Sequence, residues 1–101
     1  MFFKKNKSID EWIEIYKQNK DGLLIDVREI DEYKKGHIPE ARNIPLSAIS
    51  DALKIDRNQK MYVYCRSGNR SQKATNYLKE NGFTDVTNIG GILSYHGKKA
   101  D

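Results

Sequence analysis

The residues best suited to chemistry in this sequence are Cys65-Arg66-Ser67-Gly68-Asn69-Arg70-Ser71. A cysteine ends an apolar run, a short polar loop with one glycine follows, and a helix is expected to start at Arg70 or Ser71. So tight a loop must curl, and a curled loop turns successive backbone N–H groups inward as an anion-binding nest. The helix N-terminus adds partial positive charge, and Arg66 and Arg70 add two cations. Each of these features stabilises a thiolate, so a depressed pKa and a nucleophilic sulfur are expected. The commoner fate of a free cysteine is that of a small core hydrophobe. Core packing alone, however, calls for none of the Arg, Gly and Arg that follow this one.

Other polar residues make weaker claims. Asp26 and Arg28 flank the end of an apolar run, where a carboxylate could accept from loop amides or pair with an arginine; structural support of the site is expected of both. His37 precedes Ile38-Pro39 and reads as a hydrogen-bonded loop histidine, and His96 as a solvated one. Ser71 reads as a helix cap or first-turn residue. The two histidines are not at metal-ligand spacing, and the single cysteine excludes a disulfide framework or a paired-cysteine zinc site. No metal is expected.

The elements that must position these residues can be read from periodicity. Ser8-Ile9-Asp10-Glu11 has the capping-box pattern. Behind it Ile9, Trp12, Ile13 and Tyr16 fall on one face of a helix of roughly three turns. Leu23 to Val27 reads as a strand with Asp26 near its end. Ala41 to Ile44 reads as a shorter strand closed by Pro45, Leu46 to Leu53 as a short helix, and Met61 to Cys65 as the next strand. Ser71 to Asn81 is expected to be a helix that stops at Gly82. Asp85 to Ile89 is a last strand before Gly90-Gly91. Strands alternating with helices argue an α/β fold, a parallel sheet covered on both faces. Ligands in such sheets bind beyond the carboxyl ends of the strands, where Asp26 and Cys65 are both expected.

Composition narrows the class. With 101 residues, 38% of them hydrophobic and 32% charged, the chain suits one soluble domain spanning 1–101. No apolar run approaches the ~18 residues needed to cross a bilayer, and no secretory signal is read at the start. A cytoplasmic location and no membrane partner are the expectations. The net charge of +4 comes from 18 basic residues scattered among 14 acidic ones. Without a dense basic run interleaved with aromatics, no nucleic-acid partner is expected, although the cationic surface favours small anions.

The loop resembles that of a single-domain rhodanese, together with Leu24-Ile25-Asp26-Val27-Arg28, Gly36-His37-Ile38-Pro39-Glu40-Ala41 and Gly90-Gly91-Ile92. The resemblance runs from about Ser8 to Tyr95. It implies a five-stranded, mostly parallel sheet flanked by helices on both faces, with an added first strand around Phe2 to Lys5. It also implies a sulfurtransferase in which Cys65 takes a sulfane sulfur, from thiosulfate or a protein persulfide, and holds it as a persulfide. Arg66, Ser67, Gly68, Asn69 and Arg70 would be the cradling loop, cyanide or a thiol the acceptor, and no cofactor would be needed. Tyr95 stands where that family often has tryptophan.

Two other readings stay in view. One is a sulfur-relay carrier or protein-binding rhodanese module whose donor or acceptor is a protein; its loop would look the same. The other is a phosphatase or arsenate reductase of related fold. Those use Cys and Arg separated by five residues, whereas four separate Cys65 from Arg70, and the smaller ring suits one sulfur atom better than a tetrahedral oxyanion.

Overall fold

The computed structural model describes residues 7–101. Helix α1 (Ile9–Gln18) starts at the reciprocal cap its sequence promises. The Ser8 hydroxyl accepts from the Glu11 amide at 3.2 Å, and the Glu11 carboxylate accepts from the Ser8 amide at 3.0 Å. Strand β1 (Leu23–Asp26) is followed by helix α2 (Ile30–Lys35), strand β2 (Arg42–Asn43) and a 3-10 segment (Leu46–Lys54). Strand β3 (Met61–Cys65), helix α3 (Asn69–Glu80), strand β4 (Val86–Gly91) and a 3-10 turn (Ile92–Ser94) complete the order.

All pairings between these strands are parallel, in the order β2-β1-β3-β4. Among the described residues the sheet has four strands, where five were expected. The additional strand expected around Phe2 to Lys5 lies outside the described residues. Burial on both faces explains why β3 is apolar throughout, as parallel strands covered twice must be. The strand period of two sorts its side chains. Met61, Val63 and Cys65 join Ala74 and Leu78 of α3, while Tyr62 and Tyr64 join Ile9 and Ile13 of α1.

Local differences from the sequence reading have local causes. Leu46–Lys54 winds as 3-10 helix with a break at Ala48, and it buries Ile49 and Ala52, three residues apart as that tighter helix requires. Helix α3 begins at Asn69, slightly earlier than expected, and its end follows the Gly82 signal. Gly82 N–H donates to the Lys79 carbonyl and Phe83 N–H to that of Leu78, a paired bonding that satisfies the last turn.

One contact fixes the height of the Cys65–Arg70 loop above the sheet. A bulge between Val63 and Tyr64 brings Gly90 and Gly91 beside Tyr64 and Cys65. A Cβ at Gly91 would stand 2.5 Å from Ser67 Cα and closer still to the Arg66 carbonyl oxygen. The loop therefore rests directly on bare backbone. Gly91→Ala should lower stability by about 1–3 kcal/mol through overpacking, measured by urea unfolding. An unchanged midpoint would mean that the loop is not seated on β4.

Candidate active site

Cys65 closes β3, and the residue is only 1% exposed. Its Sγ accepts from the Gly68 amide at 3.0 Å and lies 3.3 Å from the Ser71 hydroxyl. Gly68, at φ 104, occupies the left-handed region open to glycine, and there the chain turns from loop into α3. Burial pushes the thiol up. Hydrogen bonds from the Ser71 hydroxyl and from the amides of Ser71, Gly68 and Ser67 outweigh that effect, leaving the pKa below its ordinary value. Neutral donors of the loop and helix start thus supply most of the depression, with charge attraction to Arg70 beside them.

The two loop arginines diverge. Arg70 turns away into a two-pronged pair with Glu32 of α2, Nη1 and Nη2 lying 2.7 and 2.9 Å from the carboxylate oxygens. That hydrogen-bonded grip holds the Glu32 carboxyl down to about 2. Arg66 is exposed at the mouth of the site, and its backbone carbonyl accepts from Leu93 N–H at 3.2 Å. Ser67 and Asn69 are exposed as well.

Asp26 and Arg28 form a buried pair at the end of β1, 0% and 7% exposed. Arg28 Nη2 donates to Asp26 Oδ2 at 2.7 Å and to the Gly36 carbonyl at 2.7 Å, and its amide donates to Asp26 Oδ1 at 2.9 Å. Asp26 thus pairs with an arginine and also accepts from the amide of that same residue in the loop after β1. The pair ties the end of β1 to the end of α2, and Arg28 forms part of the cleft beside Arg66.

Sequence reasoning missed several supports. Glu32 sits in a six-residue helix too short to show periodicity; its signal was the Glu29–Glu32 box, obscured by the unusual glutamate cap. Ser71 does more than cap. Its oxygen lies 2.7 Å from Asn88 Oδ1, 3.1 Å from the Gly68 carbonyl and 3.3 Å from Sγ. A hydroxyl has one proton for all of these acceptors. With a neutral thiol the proton belongs on Asn88, the shortest contact; with a thiolate it is drawn to sulfur. Asn88 is held for this role by donating Nδ2 to the Gly68 carbonyl and to Gln72 Oε1.

The histidines are engaged elsewhere. His37 stacks on Tyr33 at 3.7 Å and donates Nδ1–H to the Tyr33 carbonyl at 2.9 Å. His96, expected to be merely solvated, is exposed but paired: Nδ1 lies 2.7 Å from Asp10 Oδ2, and its amide donates to Asp10 Oδ1 at 2.9 Å. Tyr95 packs against the α1 side of the core and donates its hydroxyl to the Lys98 carbonyl at 3.2 Å. Among the described residues no group of three His, Cys, Asp or Glu could hold a metal ion, and no helix is long and apolar enough to cross a membrane.

A family model described as rhodanese-like domain matches residues 8–98. The chain is 38% identical over 92 residues to YrkF of Bacillus subtilis, named a putative sulfur carrier protein; the match covers 85% of this chain and 50% of that one. It is 41% identical over 76 residues to the putative sulfurtransferase YtwF of Bacillus subtilis, covering 74% of each. The crystal structure of a rhodanese-like domain protein from Staphylococcus aureus superposes with a TM-score of 0.79 at 34% identity, over 92% of both chains. The chain thus spans about half the length of YrkF.

The Ser71 geometry carries its own test. Alkylation by a neutral reagent follows the thiolate fraction, so its rate should rise with pH to a midpoint below the ~8.5 of a free thiol. Ser71→Ala removes a donor to the charged form and should move that midpoint upward by roughly one unit, since a hydrogen bond to a charged group contributes ~1.5–3 kcal/mol. Coincident midpoints would show that the hydroxyl does not serve the sulfur.

Proposed function

The chain belongs to the rhodanese-like domain family, and from that premise we propose that it is a sulfurtransferase working through a persulfide on Cys65. The observation that carries the reading is the seat of Sγ, buried and met by the Gly68 amide at 3.0 Å and the Ser71 hydroxyl at 3.3 Å. The thiolate attacks the sulfane sulfur of the donor. A bond forms between Sγ and that sulfur, and the bond from it to the rest of the donor breaks. With thiosulfate the electron pair leaves on sulfite; with a protein persulfide it leaves on the donor's thiolate. An acceptor, cyanide or a thiolate, then attacks the outer sulfur, and the Cys65 thiolate departs regenerated. Two displacements replace one difficult transfer.

The loop serves both steps without moving. The terminal sulfur of a persulfide is an anion at neutral pH and is costly to bury without donors. The amides of Ser67, Gly68 and Ser71 already favour charge on Sγ and are assigned to meet it, and charge-assisted bonds of this kind are roughly twice as strong as neutral ones. Donors already in place need no rearrangement when charge arrives. Arg66, exposed at the mouth, is assigned to meet the anionic part of the donor. Asp26 and Arg28 are positioning residues. A cytoplasmic setting suits the single cysteine, because thiols stay reduced there.

A second reading is favoured by the name of YrkF as a putative sulfur carrier. In that case the physiological donor or acceptor is a protein, and the chemistry at Cys65 is unchanged.

Intact-mass measurement separates the outcomes. Thiosulfate should add one sulfur atom to the protein and cyanide should remove it, while Cys65→Ser stays folded and never gains the mass. Uptake by the serine variant would overturn the role of Cys65. Arg66→Ala should lower kcat/KM for thiosulfate by about tenfold or more, yet change alkylation by iodoacetamide less than twofold. Equal losses in both would assign Arg66 to tuning the thiolate and remove it from donor recognition.

A further inference from the structure

Among the described residues the exposed large apolar side chains are Ile30, at 57%, and Leu93, at 63%. Both stand on elements tied to the catalytic loop. Leu93 donates its amide to the Arg66 carbonyl, and Ile30 opens α2, whose Glu32 is gripped by Arg70. Between α2 and the Ile92–Ser94 turn lies an open cleft of about 320 Å³, lined in part by Leu93, Arg66, Lys35 and Lys99.

These three cations come from three different segments. Lys35 ends α2, Arg66 follows β3, and Lys99 is delivered by the segment after Tyr95. That segment is anchored by an antiparallel bridge in which His37 and Ala100 exchange N–H···O bonds at 2.8 Å both ways. The other charges of the cleft are neutralised internally, Arg28 by Asp26 and Glu32 by Arg70. Among the described residues no carboxylate lies within ion-pair distance of Lys35, Arg66 or Lys99. The mouth therefore combines an uncompensated positive field with an apolar contact.

We infer that this rim is a docking surface for an acidic polypeptide segment that presents a sulfur-bearing cysteine to Cys65, an inference that rests on the persulfide chemistry proposed above. Thiosulfate alone would be met by Arg66 and the loop amides, leaving Lys35, Lys99 and Leu93 without a role. An exposed aliphatic residue beside unpaired cations is the makeup of a protein-binding patch, with apolar contact for affinity and charge for steering. A second copy of this chain is disfavoured, since a two-fold contact would set the same three cations against each other. Nucleic acid would call for aromatic stacking platforms, and the exposed apolar groups here are aliphatic.

The test separates docking from chemistry by using a labelled twelve-residue peptide with serine in place of its cysteine, flanked by glutamates and a leucine. Fluorescence anisotropy should show binding that weakens severalfold between 50 and 200 mM salt, as the screening length shrinks from roughly 14 to 7 Å. Glutamine in place of glutamate should weaken it about tenfold, and so should Lys99→Glu or Leu93→Asp in the protein. Lys20→Glu, outside the cleft, should change it less than twofold. Circular dichroism would verify that each variant is folded. Equal binding of the glutamate, glutamine and lysine peptides would overturn the proposal, as would equal binding of an oligothymidylate of the same charge. With the cysteine restored and persulfidated, Lys99→Glu should slow sulfur uptake from the peptide more than from thiosulfate. Peptide binding without any sulfur uptake by Cys65 would retire the persulfide reading and keep the surface. Uptake from thiosulfate with no preference for acidic peptides would retire the surface and keep the chemistry.

Discussion

A sulfur cut off from water can carry negative charge only where hydrogen-bond donors stand in for the solvent. At Cys65 that requirement organises the surrounding chain. The donors are the Gly68 amide and the Ser71 hydroxyl, supported by the amides of Ser67 and Ser71. To bring them within reach, the loop must turn into α3 through the left-handed Gly68 and lie flat on β4. It can lie flat because Gly91 has no side chain where Arg66 and Ser67 pass. Asn88, on the same strand, then holds the Ser71 oxygen and the Gly68 carbonyl together. The bulge that shifts the β3–β4 register by one residue makes both glycines available at that level.

Charge is arranged so that the ring keeps its shape. Arg70, in the first turn of α3, is held by Glu32, and the Asp26–Arg28 pair locks the end of β1 to the end of α2. Each pair joins neighbouring segments of one wall. Glu32 is an acid whose folded pKa is depressed, to about 2. Its contribution to stability is therefore complete above the ordinary carboxylate value of ~4.3 and is lost as pH falls toward that lower value. The clamp is intact at neutral pH. Its side chains are about one-third exposed, so solvent screening keeps the energetic contribution modest, and its main effect is geometric.

Local signals were legible in the sequence and distant ones were not. The Ser8–Glu11 cap, the apolar β3 and the Cys65 loop each declare themselves within a few consecutive residues. The four-residue spacing to Arg70 was readable, but its partner was not, because Glu32 lies 38 positions away in a helix shorter than two turns. Thiolate stabilisation was expected from loop amides, helix terminus and both arginines. The amides and the Ser71 hydroxyl supply most of it, and of the arginines Arg70 adds charge attraction to the sulfur. His96 looked solitary because its acceptor, Asp10, is 86 residues distant. The 3-10 winding of Leu46–Lys54 escaped because its apolar residues satisfy α-helical spacing almost as well. Sequence pattern thus reports what a residue needs from its neighbours; pairing across the fold depends on topology.

The division between a closed ring and an open rim has a consequence for selectivity. In the proposed reaction the ring receives one sulfur atom, and every sulfane sulfur presents the same atom to it. Discrimination among donors cannot arise there. It must come from groups that touch the remainder of the donor, which are those of the cleft: Arg66, Lys35, Lys99 and Leu93. Contacts from Lys35, Lys99 and Leu93 to parts of a donor remote from the bond being broken bind ground state and transition state nearly alike and act mainly through KM. Substitutions in the ring should therefore fall on the chemical step for all donors alike, whereas changes in the rim can redirect the protein among donors. Because the rim residues are exposed and carry little of the core's packing, they are free to vary without disturbing the sulfur's seat.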